Sequence, residues 1–253
     1  MAEAQGRRVA LVTGASYGIG GATAVGLAED GFDVVVTDLK TDDLAETVSK
    51  IEAAGGRALP LALDVRSQES IEKVFAEAVA KMGPLYALVN NAGIPSPGKQ
   101  VVDLTRADWD PLMAINLTGV FFMSREMGRQ LIAAKREGVI VSLASTHGTV
   151  GFAGASAYGI AKAGVSHMTK MLAIEWAPHG IRVNAIAPGT TETRSRAPRL
   201  QDPKNRDRML SRIPLGRFGT QEEMGAAIRY LISDNASYIT GHTLLLDGGL
   251  TVG

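Results

Sequence analysis

Ser145, Tyr158 and Lys162 share one glycine-studded stretch, STHGTVGFAGASAYGIAKAG at residues 145–164, and their types suit proton transfer at an alcohol or carbonyl oxygen. Tyr158 and Lys162 stand four residues apart, so on a helix they occupy one face. A phenol of ordinary pKa, about 10, is a poor base near neutrality. A neighbouring ammonium stabilises the phenolate and lowers that value. Ser145 follows an apolar run, and if that strand neighbours the helix its hydroxyl can hold a substrate oxygen beside the tyrosine. The chemistry served by such a set is hydride transfer. Tyr158 takes the alcohol proton in oxidation and donates one in reduction. Asn116, inside MAINLTG, is a mid-helix asparagine, which costs helix propensity. Two readings stay open for it: a side chain holding a water that links Lys162 to solvent, and one bonded to a nearby carbonyl.

A YxxxK pair alone is a weak signal, so the weight falls on the elements that would position it. RVALVTG, DVVVTDL, ALPLALDV, LYALVNNAG, GVIVSLAS, IRVNAIAPG and HTLLLDGG read as seven strands. Most are continuous apolar runs, as a sheet covered on both faces requires. Helical segments intervene: residues 19–30, DLAETVSKIEAAGG, QESIEKVFAEAVAKMG, WDPLMAINLTGVFFMSREMGRQLIAAK, AYGIAKAGVSHMTKMLAIEWAPHG and residues 221–232. The expected fold is α/β, a doubly wound three-layer sandwich in one domain spanning 1–253. Residues 190–219, rich in Arg and Pro, read as an excursion over a pocket.

VTGASYGIGG joins the first strand to the first helix, with Gly14, Gly18 and Gly20 at spacing GxxxGxG. Glycine lets a pyrophosphate approach the main chain, and the helix N-terminus offers unpaired N–H groups. Gly14, Ser16, Tyr17, Gly18, Ile19 and Gly20 are therefore candidate cofactor-binding residues. Asp38, eighteen residues beyond Gly20 at the end of the second strand, can accept hydrogen bonds from both adenosine ribose hydroxyls. Its charge would repel a 2′-phosphate, and Tyr17 is not basic, so NAD is expected over NADP despite Lys40 nearby. Asp64 is expected at the adenine edge, with the Val65 N–H beside it. Asn91, Ala92 and Gly93 end the fourth strand, where thin side chains let the adenosine ribose lie against the backbone.

The composition narrows the alternatives. The chain has 253 residues, 45% hydrophobic, enough for a sizeable core. Lys plus Arg equals Asp plus Glu at 26 each, which favours neither nucleic acid nor an anionic membrane. With no cysteine there is no disulfide or thiolate chemistry, and the four histidines lack ligand spacing, so no metal is expected. The N-terminal residues lack a secretory h-region and no apolar stretch is long enough to span a bilayer, so a cytoplasmic location is expected.

The ordered set TGASYGIG (13–20), DV (64–65), NNAG (90–93), Asn116, Ser145, YGIAK (158–162) and PGTTET (188–193) resembles the short-chain dehydrogenase/reductase family over nearly the whole chain. The resemblance implies a Rossmann fold with a mostly parallel seven-stranded sheet, a nicotinamide cofactor, and a homotetramer or dimer. It assigns Tyr158 as acid/base, Lys162 as its activator and ribose contact, Ser145 as substrate-orienting and Asn116 as part of a proton relay. It adds Pro188, Gly189, Thr191 and Thr193 to the cofactor site. Ser142 and Ala144 stand where the family pattern differs.

The substrate pocket is expected from Ser145, His147, Gly154 and Tyr158, with Arg194, Arg196 and Arg199 as candidates for an acidic group. A small sugar, polyol or other secondary alcohol is the leading substrate reading. Reduction of 3-oxoacyl thioesters and, from another class, a non-catalytic nucleotide-binding subunit are the alternatives. Apolar residues along the helix after Tyr158 (Ile160, Val165, Met168, Met171, Leu172, Trp176) and the apolar C-terminus favour assembly.

Overall fold

The computed structural model describes residues 7–194 and 202–252. Strand and helix alternate from β1 (Val9–Thr13) through α1 (Gly18–Glu29), β2 (Asp33–Asp38), α2 (Ala45–Ala53), β3 (Ala58–Ala62), α3 (Gln68–Met82) and β4 (Leu85–Asn90). The chain continues with α4 (Arg106–Met113), a π-helical turn (Ala114–Gly119), α5 (Val120–Ala133), β5 (Gly138–Leu143), α6 (Ser156–Trp176) and β6 (Ile181–Pro188). It ends with α7 (Pro203–Leu210), α8 (Gln221–Ile232) and β7 (Thr243–Leu246).

The strands form one seven-stranded sheet in the order β3-β2-β1-β4-β5-β6-β7, and every described pairing is parallel. The apolar runs explain this arrangement. Alternate residues of each strand face opposite layers, and both layers are filled. Ala10, Val12, Val34, Val36, Val89 and Val141 pack with Leu27 of α1, Ile51 of α2 and Ile228 and Leu231 of α8. Val9, Leu11, Val35, Leu88 and Ile140 pack on the other side with Phe75 of α3, Met127 of α5 and Trp176 of α6. Each such buried large side chain contributes about 1.5–3 kcal/mol relative to an exposed one.

The order reverses between β1 and β4, so the helices following these two strands leave in opposite directions and open a crevice at the strand ends. Three segments differ from the sequence pattern. β3 ends at Ala62, two residues before Asp64. The long helix proposed around Asn116 begins at Arg106, where Thr105 and Asp108 form a capping box, and is interrupted by the π turn. The excursion after β6 is pinned at its two ends. Thr191 bridges Gly219, the Glu192 N–H donates to the Gly219 carbonyl at 2.9 Å, and the Gly219 N–H donates to the Thr190 carbonyl at 3.0 Å.

Candidate active site

A cleft of about 1220 Å³ runs along the strand ends from Asp38 at one end to Ser96 and His147 at the other. Its walls include Gly14, Ser16, Tyr17, Gly18, Ile19, Asp38, Asp64, Val65, Asn91, Ala92, Gly93, Ser145, His147, Tyr158, Lys162, Pro188, Gly189, Thr191 and Thr193, nearly the full set singled out from sequence.

At the adenosine end, the glycine turn is built for close approach. Gly14 has φ +62°, and a Cβ there would sit 2.9 Å from Ala92 Cα. Gly20 is buried and does not line the cleft; a Cβ on it would collide with the Gly14 carbonyl oxygen and the Asn91 amide. Its role is therefore packing behind the turn, not contact. Asn91 clamps that turn to β4, its amide nitrogen donating to the Thr13 and Gly14 carbonyls at 2.9 and 2.7 Å. Helix α1 starts with no side-chain cap and no acidic residue in its first turn. Its first N–H groups and partial positive charge are thus available to an anion such as the dinucleotide pyrophosphate, and the site fits that group.

The Asp38 carboxylate is fixed by three donors. Oδ2 accepts from Ser16 Oγ at 2.6 Å and Ser16 N at 3.4 Å, and Oδ1 accepts from Leu39 N at 2.9 Å. The remaining lone pairs suit a vicinal diol. Asp64 lines the cleft with its carboxylate already engaged. Arg66 grips its carboxylate through Nε and Nη2 and donates its own N–H as well, at 2.7–3.1 Å, holding the carboxyl below the usual carboxylate range. The side chain is already partnered by a residue two positions away, which sequence reading passed over although it stands beside Asp64.

The reacting groups gather at the opposite end. Lys162 is buried, and its ammonium donates to the carbonyl of Leu143, the last residue of β5, at 2.7 Å. This bond ties α6 to the end of the strand that Ser145 follows by two residues. It also places Nζ 5.7 Å from the centre of the Tyr158 ring. Burial pushes the Lys162 pKa down from 10.5 to about 8. Ser145 Oγ accepts from the His147 N–H at 3.2 Å, and the His147 ring meets Tyr158 edge to face at 5.6 Å. Serine, histidine and tyrosine are thus neighbours.

Asn116 is fully buried, with its amide paired at both ends to one residue: Oδ1 accepts from Ile94 N and Nδ2 donates to Ile94 O, each at 2.8 Å. The bonded-side-chain reading describes this geometry. The amide fixes the loop after Gly93. Where the family pattern differs, Ser142 Oγ accepts from Asn90 Nδ2 at 3.1 Å, and the same nitrogen donates to Ser124 Oγ at 2.9 Å.

Two pocket expectations change. Gly154 is not among the cleft walls; its carbonyl accepts from Ser96 Oγ at 2.9 Å, so it braces the loop that forms the wall. Arg194 lies with Ser16, Tyr17 and Glu46 at the cofactor end, where it helps hold the Glu46 carboxyl below its ordinary range after Lys50, so it does not face the substrate end. Arg196 and Arg199 lie outside the described residues. Phe152, stacked on His147 at 4.2 Å between ring centres, was not singled out from sequence; loop spacing carries no period that would mark it.

Comparison with known proteins agrees with this geometry. Residues 14–251 match the family model described as enoyl-(acyl carrier protein) reductase. The cis-4-hydroxycyclohexanecarboxylate dehydrogenase of Sinomonas cyclohexanicum is 42% identical over 99% of both chains. The 3-oxoacyl-[acyl-carrier-protein] reductase of Thermotoga maritima is 40% identical over 97% of this chain and 98% of its own. A solved structure from Agrobacterium tumefaciens with bound NADP, assigned as a 2-deoxy-d-gluconate 3-dehydrogenase, is 38% identical, covers 97% of both chains and superposes with a TM-score of 0.91. The chain belongs to the short-chain dehydrogenase/reductase family. It is an NAD(P)(H)-dependent oxidoreductase acting on CH–OH groups.

Proposed function

We propose that the protein interconverts a small secondary alcohol, in the sugar or polyol class, with its carbonyl, using NAD(H) and Tyr158 as the acid/base. The carrying observation is the buried Lys162 ammonium, bonded to Leu143 O and close to the Tyr158 ring. A cation fixed in a poorly hydrated site stabilises a phenolate more strongly than one in water. Tyr158 then accepts the alcohol proton, or returns it to the oxygen in the reverse direction, while Ser145 orients that oxygen. When bound, the nicotinamide supplies the hydride chemistry. Asp38, Ser16, the N-terminus of α1 and the residues after β6 would hold the cofactor, with Lys162 also placed to meet its ribose. The substrate end combines Ser96 and His147 with Ile94 and Pro95, a mixed polar and apolar wall suited to a small hydroxylated molecule.

Relatives of similar identity are named for a thioester, a hydroxycyclohexane acid and a sugar, so likeness alone leaves the substrate open. Parallel assays decide: NAD with sugars and polyols, and NADPH with a 3-oxoacyl thioester. The expected result is NAD-dependent polyol oxidation as the faster reaction; dominant thioester reduction defeats the reading. Asp38→Ala is expected to lower the NAD over NADP ratio of kcat/KM about 10²-fold. It removes a charge that repels a 2′-phosphate and charged hydrogen bonds to the ribose. An unchanged ratio would place cofactor choice elsewhere.

We also propose a cytoplasmic homotetramer. Along α6, Val165, Leu172 and Trp176 are buried in the subunit, whereas Ile160, Met171 and Ile174 are exposed, as is Phe121 of α5. Exposed large apolar side chains on adjacent helices favour a second copy. Light scattering at micromolar concentration is expected to give four times the chain mass, and a monomer would refute the assembly.

A further inference from the structure

We propose that His147 is a positioning residue that, by donating to both lone pairs of the Ser145 hydroxyl, turns that hydroxyl's proton toward the substrate oxygen. The proposal rests on the reading of Ser145 and Tyr158 as the pair that meets that oxygen.

A serine hydroxyl has one proton and two lone pairs. At Ser145 one lone pair is taken by the His147 N–H, at 3.2 Å. His147 Nδ1 lies 3.4 Å from the same oxygen, so the ring and the backbone of one residue both address it. Two arrangements follow. If Nδ1 carries no proton, Ser145 donates to it and turns only a lone pair to the substrate, where it would compete with Tyr158 for the alcohol proton. If Nδ1 carries a proton, the ring donates to Ser145, whose own proton then points at the substrate, which suits a carbonyl oxygen and equally an alcohol oxygen whose proton goes to Tyr158. The proposed form is therefore the one with Nδ1 protonated, in which His147 occupies both Ser145 lone pairs and leaves the serine proton for the substrate oxygen in either direction.

The ring is held for this purpose. It stacks on Phe152 with centroids 4.2 Å apart and planes 29° from parallel, and the Arg212 guanidinium covers Phe152 at 5.0 Å. Its edge abuts Tyr158 at 88°. The backbone beneath is equally constrained. A Cβ on Gly159 would meet the His147 carbonyl oxygen at 2.7 Å, and one on Gly148 would meet the Lys162 and Ala163 backbone at 2.7 Å. Residues 147–148 therefore sit flush on the first turns of α6, and His147 contacts the hydroxyl and the phenol together.

The competing role for His147 is direct contact with a second hydroxyl of a polyol. Cyclohexanol lacks one and trans-cyclohexane-1,2-diol has one, so NAD-dependent oxidation of both, with NADH reduction of cyclohexanone, separates the roles. His147→Phe keeps the stack and removes Nδ1; His147→Asn restores a polar group near the Nδ1 position. Loss of a net hydrogen bond predicts about a 10-fold fall in kcat for H147F on cyclohexanol, with NAD affinity within about twofold and most of the rate recovered in H147N. In a double-mutant cycle, S145A/H147F is expected to be no slower than S145A alone. Additive losses, or a loss confined to the diol, would overturn the proposal. A nitrogen-15 NMR spectrum of the histidine-labelled protein tests the coupling without turnover: the His147 Nδ1 resonance is expected to move on Ser145→Ala, and a stationary resonance also overturns it. Absent turnover of any alcohol by the wild type would defeat the proposed function instead, and the NMR result would still decide the Ser145–His147 link.

Discussion

Tyr158→Phe is expected to lower kcat/KM about 10³-fold in both directions while the Kd for NAD stays within about threefold of the wild type. The substitution removes one oxygen and keeps the ring, which meets His147 edge to face, so packing is nearly preserved. What is lost is the group that moves the proton, and positioned acid/base catalysis typically supplies 10²–10⁴-fold. Both directions suffer alike because the same oxygen takes the proton one way and returns it the other. Stopped-flow or steady-state NADH fluorescence gives the rates, and titration of nucleotide fluorescence gives the binding. Near-full activity in Y158F would move the proton transfer to another group, and His147 would be the nearest candidate. Loss of NAD binding together with rate would mean that the phenol chiefly supports the cofactor.

The Tyr158–Lys162 pair was legible in the sequence because four residues make one helical step, and α6 keeps that periodicity. The lysine's anchor was not. Leu143 contributes a backbone carbonyl, which leaves no mark on side-chain pattern, and its nearness follows from strand order. The strands themselves were readable, since a sheet buried on both faces demands uninterrupted apolar runs. Asp64 shows the limit of motif reading. Its place near the adenosine end was anticipated, but the side chain answers first to Arg66, a cation within reach on the next turn of chain. Asn116 stood out as a misplaced polar residue in a helix. That anomaly marked a side chain with a bonding task, while its partner, Ile94, lies 22 residues away in sequence and offers only main-chain atoms.

Lys162→Met separates the catalytic use of this cation from its cost to the fold. A protonated lysine buried at this site is disfavoured relative to the unfolded chain, as its folded pKa of about 8 against 10.5 states. Below pH 8 both states hold the proton and the full penalty applies, about 3 kcal/mol at 1.36 kcal/mol per unit. Between pH 8 and 10.5 the unfolded chain holds more protons than the folded one, so wild-type stability should rise with pH across that window. Methionine carries no charge and should abolish that rise. It also leaves the Leu143 carbonyl without its donor, a cost of about 1–3 kcal/mol. The two effects oppose each other, so at pH 7 the variant is expected to unfold in urea within about 2 kcal/mol of the wild type. The rate responds without such compensation. With no cation beside the ring, kcat/KM should fall about 10²–10³-fold, and the pH at which the remaining activity appears should move to higher values. A variant that is as stable as the wild type yet slow, with an alkaline-shifted profile, assigns Lys162 to the phenol. One that is slow only because it is unfolded, or fast with an unshifted profile, assigns the lysine to the scaffold.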